Sequence, residues 1–256
     1  MKRLSIIVSL FLLTILSAEA AIKVITEGAS GSDVQKIERF LSVVESTAER
    51  IFGDQYPELK ASIVCEVIVH GAATEKANTS TATLESSRRD GKLYGTLHIL
   101  ASSKYGEGLR SMGGQDKASD EYYLRLLGHE ILSLYLKALS DTRAKGWAYY
   151  SAPNWFTQGS QEYVASLCLK KNSRDEIFEN YHRSVEIKIE PRITVSNPYS
   201  GGLVIMKFIE DRYGQEKVLQ IIASEAESFN QAFEAILGPN DVFQADFRRW
   251  NKKQMR

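Results

Sequence analysis

Residues 120–139 constrain the fold more than any other stretch. Tyr122, Tyr123, Leu126, Leu127, Leu134, Tyr135 and Leu139 recur at helical spacing, and Asp120 and Glu121 suit the positive N-terminal end of a helix. The spacing predicts an apolar helix carrying Leu127-Gly128-His129-Glu130-Ile131-Leu132-Ser133. Residues four apart on a helix share a face, so His129 and Ser133 point the same way. A second phrase follows, Pro153-Asn154-Trp155-Phe156-Thr157-Gln158-Gly159-Ser160-Gln161-Glu162-Tyr163.

Asn154 to Tyr163 resembles the W-[LF]-x-E-G-x-x-E-Y segment of the gluzincin metallopeptidases, the peptidase-MA-like group that includes thermolysin and the aminopeptidase-N type. His129-Glu130 resembles the start of their H-E-x-x-H helix, in which His at i and i+4 grip one zinc ion and the Glu takes a proton from metal-bound water. Carried over by position, the resemblance puts the zinc ligands at His129, Ser133 and Gln158. It makes Glu130 the general base and Glu162 the acid behind the first His. The Trp, Gly, Glu and Tyr of the second phrase match, but two ligand positions do not. The Tyr199-Ser200-Gly201-Gly202 phrase and the segments around Phe233 and Phe247 follow the order of such domains, and Tyr199 is the candidate for an oxyanion-stabilising tyrosine.

Catalytic zinc normally has three protein ligands and one open position for water. Ser133 is short, and its hydroxyl is a poor ligand at neutral pH. Gln158 offers an amide oxygen without charge. The expected cofactor is therefore none, with zinc only if the degenerate site still binds it. Glu162 is expected to hold the His129 ring by a charge-assisted contact. The leading expectation is a pseudopeptidase that binds a peptide, a protein or a cell-envelope component. The alternative is a working hydrolase with Glu130 as base. Ser133 as a nucleophile lacks a G-x-S-x-G context.

The chain of 256 residues opens with Met1-Lys2-Arg3, a mostly apolar run over 4–16 and Ser17-Ala18-Glu19-Ala20. This reads as a secretory signal peptide of residues 1–20, with an exported, periplasmic or secreted, product. One domain is expected over 21–256: an α/β part over about 21–117 and a helical part over about 118–256. No later stretch is long and apolar enough to predict a transmembrane helix. Lys plus Arg and Asp plus Glu balance at 32 each without a charge block, so nothing points to a nucleic-acid partner. Cys65 and Cys168 are the two cysteines. A disulfide between them and a pair of buried free thiols both remain open in an exported protein.

The expected class is α+β, a small N-terminal sheet with a helix followed by a mostly helical zincin-like lobe. The pattern predicts a helix over 33–52 and strands over 61–70, 78–85 and 92–100. A glycine-rich loop is expected over 104–118 and an aromatic connector, packed rather than groove-lining, over 146–153. Helices follow over 174–183 and 197–212, with an extended stretch over 186–195 between them. Short helices over 217–224, 229–237 and 242–250 close the chain, and a fraying tail is expected over 248–256. His70, His98 and His182 are read as packed or surface residues rather than ligands.

Overall fold

The computed structural model describes residues 22–79, 82–111, 119–142, 146–188 and 193–254. Strands β1 (Ile22–Glu27), β2 (Ile63–His70), β3 (Thr83–Arg89) and β4 (Lys92–Leu100) form a sheet ordered β1-β2-β4-β3. The first three in that order are parallel, and β3 joins the edge antiparallel to β4. The β3–β4 hairpin turns at Asp90 and Gly91, both at positive φ (51° and 74°), as the tight hairpin turn requires. The third strand starts later than the sequence pattern suggests, because this Asp-Gly turn sets its register with β4.

Strand alternation sends one row of side chains inward. Ile63, Cys65, Val67 and Val69 of β2 and Leu93, Leu97 and Ile99 of β4 are buried. Helix α1 (Gly31–Phe52) lays Ile37, Leu41, Val44, Ala48 and Phe52 into the same core. The larger of these, Ile37, Leu41, Val44 and Phe52, contribute about 1.5–3 kcal/mol each by burial. Its N-cap Ser30 accepts from the Asp33 amide. A short helix, α2 (Tyr56–Ala61), leads into β2.

The expected glycine-rich loop is in part a helix. α3 (Ser102–Ser111) follows β4 directly, and the rest of that stretch lies outside the described residues. Its start is held by Asp33, whose carboxylate accepts from the Ser103 amide at 3.0 Å and from the Ser102 and Ser103 hydroxyls. That non-local anchor outweighs the weak helix propensity of the glycines.

α4 (Asp120–Asp141) is the central helix. It is buried on most of its circumference, including Leu127, Ile131, Leu132, Leu134, Tyr135 and Leu136. Ser119 caps it by accepting from the Tyr122 amide. α5 (Asn154–Ser166) packs against it, then α6 (Lys171–Ser184), a two-strand ribbon β5 (Ile187–Lys188) and β6 (Thr194–Val195), and α7 (Pro198–Tyr213). α8 (Glu216–Ile222), α9 (Phe229–Leu237) and α10 (Asn240–Gln254) close the lobe. α10 holds to Gln254 where a fraying tail is expected, because Asp246 pairs with Arg212 and Arg249 and Trp250 donates to Asp211 at 3.1 Å. The fold is α+β, with the small sheet first and the helices after it. Among the described residues, no helix is long and apolar enough to cross a membrane.

The two cysteines are free and buried. The disulfide alternative fails because α4 lies between them. Cys65 faces α4 from the sheet, beside Gly95 and Leu134, whereas Cys168 lies against Gly128 at the end of α5. The aromatic connector is mainly packing. Trp147 meets Phe156 and Phe229 edge-on, and the buried Tyr149 hydroxyl contacts the Thr157 carbonyl and Ser160. The 1–20 stretch lies outside the described residues.

Candidate functional site

α4 presents Tyr122, Arg125, Leu126, His129 and Glu130 along one face, the stripe that 3.6-residue periodicity creates. This stripe forms the floor of a cleft of about 620 Å³. Glu162 from α5, Tyr181 and Ser184 from α6, and Asn197, Tyr199 and Ser200 at the start of α7 complete it, with Ala82 just before β3. The α7 start is fixed locally: the Asn197 side chain accepts from the Tyr199 and Ser200 amides, at 2.9 and 3.2 Å.

A buried ion triad forms the base of the cleft. His129 Nδ1 lies 3.0 Å from Glu162 Oε1, and Arg125 Nη1 lies 3.4 Å from Glu162 Oε2. Neither contact is aligned as a hydrogen bond, so both act as close ion pairs. Arg125 is 6% exposed and its guanidinium lies 5.0 Å from the Tyr122 ring centre and 5.4 Å from that of Tyr181. With Nδ1 turned to Glu162, Nε2 is the ring nitrogen of His129 left to meet the cleft. The Tyr199 ring stands over it, 5.8 Å between centres.

Burial opposes a charged His129, but contact with the Glu162 carboxylate and the nearby Glu130 outweigh it and raise its pKa. Burial would raise Glu162; the His129 contact and Arg125 overcome this and hold it low. Glu130 goes the other way: burial, reinforced by Glu162 and opposed by His129, pushes its carboxyl up.

The structure therefore brings together four of the sequence-derived residues, His129, Glu130, Glu162 and Tyr199. It does not bring Ser133 or Gln158 to the cleft wall. Ser133 is buried one turn along α4, and its hydroxyl donates to the Glu130 carbonyl at 2.7 Å. Gln158 lies one turn before Glu162, with its amide oxygen buried and unpartnered. Arg125, Tyr122 and Tyr181 are site residues the motif comparison missed. Arg125 had a visible signal, since it sits four residues before His129 on the same helical face. Tyr150, at the edge of the aromatic connector, lies outside the cleft lining; its hydroxyl contacts Ser133 and feels the charge of Glu130.

These residues do not fit zinc. One imidazole, one hydroxyl already spent on its own helix and one neutral amide supply no anionic donor. A permanent cation, Arg125, stands against the carboxylate that backs the imidazole, and the raised pKa of His129 favours a proton on the ring. Among the described residues, no group of three or more His, Cys, Asp or Glu side chains is placed to hold a metal ion. Comparison with models of known families, with curated proteins and with solved structures finds no match.

Proposed function

We propose that the chain is an exported, peptidase-MA-like pseudopeptidase whose cleft binds a peptide segment, free or within a larger protein or envelope component, without cleaving it. The supporting observation is the pairing of His129 with Glu162 beneath Tyr199, with Ser133 and Gln158 at the two other ligand-equivalent positions, both set back from the cleft wall. The edge of β3 begins one residue beyond cleft-lining Ala82, so an extended segment has backbone partners at the mouth of the cleft. The proposed export rests on the residue pattern over 1–20. The test is a peptide array followed by fluorescence anisotropy on purified protein, with metal content and cleavage measured on the same samples. Binding without turnover and without effect of a chelator is expected. One tightly held zinc per chain with chelator-sensitive cleavage would reject the reading.

A second reading is favoured by Glu130, a carboxyl whose pKa is raised by burial within the cleft. Such a group suits acid–base work near neutral pH. In that reading the protein is a hydrolase with Glu130 as base and Tyr199 as an oxyanion donor. Peptide turnover that is abolished in Glu130→Gln would select this reading over the first.

A further inference from the structure

At the opposite face of the sheet from α4, the C-terminal ends of three strands meet in a chain of titratable groups. Glu27 of β1 places Oε2 3.1 Å from Nδ1 of His70 on β2. His70 Nε2 lies 3.0 Å from Nδ1 of His98 on β4, in hydrogen-bonding alignment. His70 is only 7% exposed. Two other charged groups act on His98: Glu85 from β3 and Lys76 from the loop between β2 and β3. Those two pair with each other at 2.7 Å. The same corner carries much of the local backbone closure. The Gly71 amide donates to the Glu27 carbonyl, the Ala101 amide to the His70 carbonyl, and Gly28 bridges to His70. The loop beyond is tied by Thr74 and Ala77, and Ala77 bridges to Ala82 at the rim of the cleft.

We propose that the His70–His98 hydrogen bond is a proton-operated latch: one shared proton keeps this corner and the following loop closed, and a second proton opens them. Two imidazoles joined N–H to N need one proton between them. When both rings are imidazolium, each facing nitrogen carries a hydrogen and the bond has no acceptor. Two positive rings then stand at hydrogen-bond distance with the Lys76 ammonium nearby. Glu27 and Glu85 offset part of that charge, but Glu85 is already engaged by Lys76. The pKa of His98 is lowered, first by burial and then by Lys76 and His70, against the pull of Glu85 and Glu27. A lowered folded-state pKa means stability that is present above the unfolded value and lost as pH falls, the sign a latch opened by acid requires. The inference does not depend on what occupies the cleft.

The test is amide hydrogen exchange by NMR on the native chain at about pH 7.5 and about pH 5, the range over which histidine titrates, corrected for intrinsic rates. Protection of the Gly71, Thr74, Ala77 and Ala101 amides is expected to fall by about tenfold or more at the lower pH, a loss in keeping with repulsion between close like charges. The central Val67 and Leu97 amides are expected to hold. In His98→Gln, which keeps a partner for His70 but cannot titrate, the acid-induced loss is expected to vanish. Unchanged protection in the wild type, or a loss that persists in His98→Gln, overturns the proposal. If His98→Gln does not fold, the ring titration of His98 in the wild type decides instead: loss of amide protection that follows His98 protonation is expected, and loss uncoupled from it overturns the proposal.

Discussion

Glu162 holds its Oε1 atom 3.0 Å from His129 Nδ1 across the contact between α4 and α5. The two shifted pKa values are one interaction seen from its two ends. His129 is raised above its ordinary 6.5, so its share of stability is complete below that value and is lost as pH rises through the folded pKa. Glu162 is lowered below its ordinary 4.5, so its share is present above that value and is lost as pH falls through the folded pKa. The pair thus contributes most at mildly acidic pH, between the two ordinary values of 4.5 and 6.5. Urea unfolding across this range should show wild-type stability declining above about pH 6.5, a decline that Glu162→Gln flattens. That variant should also lose about 3–5 kcal/mol, because it leaves the Arg125 and His129 charges buried without their counter-ion. A full-size decline in Glu162→Gln would show that another group governs it.

The thiols give a second check. Burial pushes Cys65 up to about 12 and Cys168 up to about 11, with Thr47 and Arg50 pulling slightly down on the latter. Thiolate is the reactive form. At about pH 8, below the ordinary cysteine pKa, a thiol reagent should therefore label neither residue in the folded protein. Both should react in denaturant without prior reduction. Reducing agent should leave the melting temperature unchanged. A shift on reduction would reveal a cross-link.

α5 and α7 approach through glycine. A Cβ on Gly202 would stand 2.2 Å from the Trp155 carbonyl oxygen and 2.6 Å from the Gly159 Cα, and one on Gly159 would meet the Gly202 backbone at 2.5 Å. Backbone cannot swing aside as a side-chain tip can. Gly202→Ala and Gly159→Ala should each cost about 3 kcal/mol, at the upper end of ordinary overpacking. Alanine at Gly31, where nothing lies within 4 Å, is the control and should be close to neutral in thermal melts.

Restoring charge to the altered positions tests the family resemblance itself. The Ser133→His, Gln158→Glu double variant should take up about one zinc per chain by elemental analysis, the stoichiometry of a three-ligand site with one position left for water. Each single variant should hold it far more weakly. A folded double variant that gains no zinc would weaken the positional carry-over on which the proposed function rests.

Much of the frame was legible in the sequence because burial leaves a period. The apolar spacing of α1, the alternation of β4 and the Asn197 cap with glycine after α7 each carry a local signature, and the structure places these elements close to where the pattern does. The edges of β3 depart from the residue pattern because the Asp90-Gly91 turn, not strand propensity, sets its register with β4. α3 was hidden because its anchor, Asp33, is remote in sequence. In the site, the His129–Glu162 contact is the one that the gluzincin resemblance implies. The contact of Arg125 with Tyr181, and the bond between His70 and His98, depend on which strands and helices become neighbours. No one-dimensional period encodes that.

The glycine contact also bears on how the cleft accommodates an occupant. Gly159 lies on the helix that brings Glu162, and Gly202 lies just past Tyr199 and Ser200, so the two walls they belong to are seated main chain on main chain. Such walls have no side-chain cushion to compress and travel as one body. α6, which carries Tyr181 and Ser184, stands outside this main-chain seat.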